Sequence, residues 1–95
     1  MSANKGLNNC LCLIKDYCTL AWRYLLTGEE KKAMDLVLKI IEMIEEIMNI
    51  QSEDISVYNL KIKIANLLPR LLKAMEEKNG IVLADILEYE LKNII

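Results

Sequence analysis

The sequence predicts an all-α fold: an antiparallel, up-down-up-down four-helix bundle with its third helix kinked at Pro69. Two observations carry this. Apolar residues recur at helical spacing through the long segments, and all connections between those segments are short. In the first segment Leu7, Cys10, Leu11, Ile14, Tyr17, Cys18, Ala21, Tyr24 and Leu25 share one face of a helical wheel. In the second, Ala33, Met34, Val37, Ile40, Ile41, Ile44, Ile47 and Met48 do the same. With flanking Leu and Ile counted, each arc covers roughly 200°, against the ~100° stripe of an ordinary surface helix. Arcs that wide require burial between two neighbours.

The first helix is expected to start near Leu7, with Asn4 to Asn9 supplying caps, and to stop at Gly28, whose freedom suits the left-handed position past a helix end. Glu29 and Glu30 then favour the positive end of a second helix running to about Ile50, with Asp35 and Lys39 spaced for an i,i+4 pair. Ser52 reads as the N-cap of the third helix, with Glu53 and Asp54 in its first turn. That helix places Val57, Leu60, Ile64, Leu67, Leu68, Leu71, Ala74 and Met75 on one face and ends at Asn79–Gly80. Pro69 removes a donor and crowds the preceding turn. Because the apolar phase is the same on both sides of it, one kinked helix is expected rather than two helices.

The fourth segment, Ile81 to Ile95, has a core stripe of Leu83, Ala84, Leu87, Leu91 and Ile94. Val82, Ile86 and Tyr89 form a second apolar strip on the opposite side. One core cannot cover both faces of a peripheral helix, so this strip is the predicted partner-binding surface. On this reading Ile86→Glu leaves helicity intact and weakens association.

Ninety-five residues make a single domain, 1–95. Leu and Ile supply 29 of them, an excess that suggests apolar surface kept for another chain, so a homodimer or a protein partner is expected. No run approaches the ~18 apolar residues of a membrane span. Residues 1–7 lack the features of a signal peptide, so a cytoplasmic location is expected. A net charge of −2 offers no global attraction to nucleic acid or an anionic membrane.

The chain has no histidine, which removes Ser-His-Asp, Cys-His and Glu-x-x-His constellations. Cys10 and Cys12 project about 200° apart on a helix and cannot grip one metal together; three thiols fall short of a structural zinc site. Cys10 and Cys18 read as small hydrophobes and Cys12 as the exposed thiol. Glu42, Glu45 and Glu46 lie on a polar face with no calcium-loop spacing. Asp85 and Glu88 share a polar side without any sign of a pocket. Gly6, Gly28 and Gly80 are isolated and form no phosphate loop. Lys63, Arg70 and Lys73, with Asn66, make a small basic ridge that lacks the interleaved aromatics of nucleic-acid binders. Trp22, at the edge of the first arc, is expected to pack in the core. The expectation is a protein that is not an enzyme, with no catalytic residues, no cofactor, no metal and no small-molecule substrate.

The stretch from Ala74 to Leu91, AMEEKNGIVLADILEYEL, resembles the closing motif of small uncharacterised bacterial helical proteins, in which an acidic turn leads into a helix similar to "LADLLEYEL". The resemblance implies a bacterial cytosolic helical protein. In size and acidity the bundle also resembles flagellar or secretion export chaperones. The leading expectation is a non-catalytic protein-interaction module acting through its fourth helix. The alternatives are an export-chaperone-like or regulatory adaptor with an apolar groove, a carboxylate metal-binding protein, and a nucleic-acid binder.

Overall fold

Four helices account for nearly all of the chain. The structure, a computed structural model, describes the backbone of residues 2–95 and the side chains of residues 6–95. Helix α1 runs Ser2–Leu26, α2 Glu30–Met48 and α3 Ile55–Glu76. Helix α4 spans residues 80–94 in three parts: an α-helical Gly80–Asp85, one wide π turn Ile86–Leu91, and a closing turn Lys92–Ile94. There is no strand among the described residues.

Helix α1 packs on α2 and on α4, while α3 packs on α2 and on α4, so the helices close a ring around one core. Twenty-five residues at about 1.5 Å each make α1 roughly 37 Å long, which sets the 41 Å long axis of the molecule. The predicted arcs supply the core. Ile14, Cys18 and Ala21 meet Val37, Ile40, Ile44 and Ile47 from α2, Ile64, Leu67 and Leu71 from α3, and Leu83, Leu87 and Leu91 from α4. No polar or charged side chain is buried among the described residues. Burial of apolar area is therefore the dominant stabilising term, at about 25 cal/mol per Å².

The helix ends depart from expectation in instructive ways. Helix α1 begins at Ser2, five residues before Leu7, so residues 4–9 are helical rather than capping positions; the side chain of Asn4 lies outside the described residues. At its other end Gly28 takes φ +81°, as predicted, and the Glu29 N–H donates to the Tyr24 carbonyl. The α3 cap is Asp54, not Ser52. The Asp54 carboxylate accepts from the Ser56 N–H at 2.9 Å and from the Ser56 hydroxyl at 2.7 Å, and Ser52 accepts from the Asp54 N–H. A charged acceptor bound twice outcompetes a neutral hydroxyl. These two hydrogen bonds hold the Asp54 carboxyl below its ordinary range.

Helix α3 runs unbroken through Pro69. After it the left-handed residue is Lys78 (φ +53°), because Asn79 is engaged as the α4 cap, its side chain accepting from the Val82 N–H. Gly80 therefore starts α4 instead of making the turn. Asp35 and Lys39 are exposed and form no ion pair.

The largest correction concerns α4. Ile86 is only 2% exposed and belongs to the core. On an ideal α-helical wheel Ile86 and Leu91 stand about 140° apart, which is why the sequence places them on different faces. The π turn, with its i→i+5 hydrogen bonding, brings residues five apart to the same side. Ile86, Leu87 and Leu91 thus all turn inward, and the strip predicted from Val82, Ile86 and Tyr89 is broken at its centre. Val82 and Tyr89 stay exposed but face different neighbours. Ile94, expected in the core stripe, is half-buried at its edge.

Candidate functional site: a groove between α1 and α4

The end of α1, the start of α4 and the α3–α4 turn lie around one concavity. A groove of about 890 Å³ opens at this point. Trp22, Leu25 and Leu26 form its α1 wall; Ile81, Ala84 and Tyr89 form its α4 wall. Helical spacing explains the α1 wall, since Trp22, Leu25 and Leu26 are three and four apart and share one side of the last turn. On α4, Tyr89 lies outward because the π turn commits Ile86, Leu87 and Leu91 to the core.

These side chains are unusually open for their chemistry. Ile81 is 79% exposed and Tyr89 62% exposed, and Leu26 is also open. Trp22 is half-buried but is not among the hydrophobics packed on the core. It lines the groove, contrary to the expectation of core packing, because residue 22 falls at the edge of the α1 arc. Of the predicted partner-binding residues only Tyr89 reaches this groove. Val82 and Ile86 instead line a smaller cleft of about 260 Å³ on the other flank of α4, beside Arg70, Lys73, Glu77 and Glu90.

The rim is charged unevenly. Glu30, Glu77 and Asp85 stand around the groove against a single cation, Lys78. A concavity lined half by apolar and half by polar surface, with mostly acidic charges, favours a ligand that is apolar on one side and basic beside it. Side-chain contacts join the walls to their neighbours, the Lys92 pair part-buried and the Arg70 pair exposed. Lys92 donates to Glu88 Oε1 at 2.9 Å and to the Thr19 hydroxyl at 3.0 Å, tying α4 to α1. Arg70 pairs with Glu90, tying α4 to α3. Lys32 lies 5.6 Å from the centre of the Tyr24 ring, joining the end of α1 to the start of α2.

Other chemistry-bearing groups do not converge. Cys18 is fully buried, and burial pushes its thiol up to about 12, with Lys92 partly opposing and Glu88 adding to the shift. Cys10 is half-buried and raised in the same way by burial and by Glu46, and its Sγ faces the Met43 carbonyl at 3.9 Å. A thiol held protonated is neither a nucleophile nor a metal ligand. Cys12 is exposed, as predicted, and all three cysteines are free. Glu42, Glu45 and Glu46 are exposed on α2. Among the described residues no three His, Cys, Asp or Glu side chains come together to hold a metal, and no helix is long and apolar enough to cross a membrane. Arg70 of the basic ridge is already engaged by Glu90.

A second exposed feature went unread in the sequence. Ile55, Tyr58, Ile62, Ala65, Pro69 and Leu72 are all exposed on α3. Their alternating three- and four-residue spacing was the available signal, masked by the stronger core stripe on the same helix. Comparison of the chain with protein-family models, with curated proteins and with solved structures finds no match.

Proposed function

We propose that this protein is a non-catalytic interaction module that receives an amphipathic helix from a partner protein in the groove between α1 and α4. The carrying observation is the cluster of exposed Leu26, Ile81 and Tyr89 with half-buried Trp22 around one concavity with an acidic rim. Exposed aromatic and aliphatic side chains gathered at a concave site are what helix-in-groove recognition requires. The rim charges select basic residues flanking the apolar face of the incoming helix. The reading keeps α4 as the docking element but moves the surface from the Val82–Ile86 flank to the Ile81–Tyr89 flank.

In this reading the bundle is up-down-up-down. Cys10 near the start of α1 faces Met43 near the end of α2, and Leu25 near the end of α1 shares the groove with Gly80 at the start of α4. A bend of α3 at Pro69 belongs to the same reading, as does a bacterial cytoplasmic setting, which three free thiols suit. The groove also favours the adaptor or export-chaperone-like alternative over self-association through α4, because the apolar strip required for the latter is interrupted by the buried Ile86.

Trp22 is the only tryptophan in the chain and reports on the groove directly. A synthetic Leu/Lys helix, with Leu at three- and four-residue spacing and Lys elsewhere so that one face is apolar and the other basic, is expected to blue-shift Trp22 emission and to saturate in the micromolar range. Ile81→Asp is expected to weaken that binding at least tenfold with no loss of helicity. Emission that stays unchanged up to millimolar peptide contradicts the proposal, as does equal affinity for a peptide with an acidic polar face.

A further inference from the structure

We infer that α3 is a self-association surface on which two copies of this chain pair antiparallel, independently of the groove and on a different helix. The exposed residues Ile55, Tyr58, Ile62, Ala65, Pro69 and Leu72 follow a three-four-three-four-three spacing along one face. That is the a/d repeat of a helix seam, and it exists in addition to the stripe that α3 gives to its own core. Ile55 is 69% exposed and Tyr58 59% exposed. From Ile55 to Leu72 the face runs about 26 Å.

The occupant follows from the seam's own register. Antiparallel seams set an a residue against a d residue of the partner, and a two-fold axis requires each contact to occur twice. One register satisfies all positions: Ile55 opposite Leu72, Tyr58 opposite Pro69, and Ile62 opposite Ala65. Large thereby meets small at the centre, and the Tyr58 ring meets the flat Pro69 ring, which needs no donor from the missing N–H. Charge agrees with the same alignment. Glu53 and Asp54 stand at the start of the seam and Lys73 near its end, ahead of Glu76 and Glu77, so the antiparallel register sets Asp54 opposite Lys73 twice. A parallel pair would oppose Pro69 to Pro69 and set the acidic ends side by side. A second copy is thus the complementary partner of this face in both shape and charge.

Two measurements test this. Sedimentation equilibrium of the full chain is expected to show a concentration-dependent species of twice 10.9 kDa. Ile62→Glu, and separately Leu72→Lys should the first variant fold poorly, is expected to weaken association at least tenfold while the circular dichroism spectrum and melting temperature stay near those of the parent. Ile81→Asp in the groove is expected to leave the dimer intact, so failure of the groove reading and failure of this one are distinguishable. A zero-length carbodiimide cross-link between Lys73 and Glu53 or Asp54 is expected in the dimer alone, because within one chain α3 separates these residues by about 28 Å. A parent that stays monomeric at several hundred micromolar overturns the inference. So does a dimer that survives both α3 substitutions, one abolished by Ile81→Asp, or one lacking the Lys73 cross-link.

Discussion

At the scale of single residues, burial alone assigns the three thiols different fates. Cys12 faces solvent, Cys10 is half-covered, and Cys18 is enclosed with its proton held to about pH 12. Native protein treated with iodoacetamide is therefore expected to lose Cys12 first, Cys10 slowly, and Cys18 only on unfolding; mass spectrometry of the digest reads this order. The same burial has a pH consequence. The folded thiol titrates well above its ordinary value of 9.0, so the unfolded chain releases its Cys18 proton first as pH rises. Below about pH 9 the full stabilising contribution is present, and between about pH 9 and 12 it is lost. Cys18→Ala is expected to flatten the alkaline fall in stability relative to the parent over that window, and an unchanged slope would contradict the assignment. The burial of Cys18 was legible from its place on the arc, and so was the exposure of Cys12. Trp22 was not, because a wheel edge does not say whether a neighbouring helix reaches it.

At the scale of elements, the arcs of α1, α2 and α3 were legible because each keeps one period from end to end. Their buried residues match the predicted faces closely. Boundaries were less so. Asp54 displaces Ser52 as a cap by making two bonds where Ser52 would make one, and the turn expected at Asn79–Gly80 falls earlier, with Lys78 in the left-handed position. Helix α4 was misread for a single reason: the wheel assumes about 100° per residue throughout, and the π turn breaks that assumption over Ile86–Leu91. The practical outcome is reversed. Ile86→Glu places a charge in a hydrocarbon core, and leaving such a group unpaired puts it among the most damaging classes of substitution, at about 4 kcal/mol or more. Its melting temperature is expected to fall by tens of degrees in a chain of this size, whereas Tyr89→Ala on the exposed side is expected to stay within a few degrees. A parent-like melt for Ile86→Glu would show that Ile86 does not face the core.

At the scale of the whole molecule, the apolar excess of the sequence has three main destinations. Most of it builds the shared core, some lines the groove between α1 and α4, and a further part forms the open seam of α3, with Leu13, Leu20, Leu38 and Val82 exposed singly elsewhere. The sequence announced that there was more apolar surface than one small bundle needs. It did not reveal where the surplus lies, since that depends on which helices become neighbours and on the local widening of α4. The two surfaces divide the work on this account: α3 brings copies together, and the groove takes a basic amphipathic helix from another protein. The central claim, docking in the groove, is tested most directly by amide chemical-shift mapping. A spectrum of the isotopically labelled protein is recorded with and without the Leu/Lys peptide. The account predicts shifts concentrated at residues 22–30 and 77–89, and quiet amides along the exposed face of α3. Shifts centred on Ile55 to Leu72, or none at saturating peptide, would contradict it.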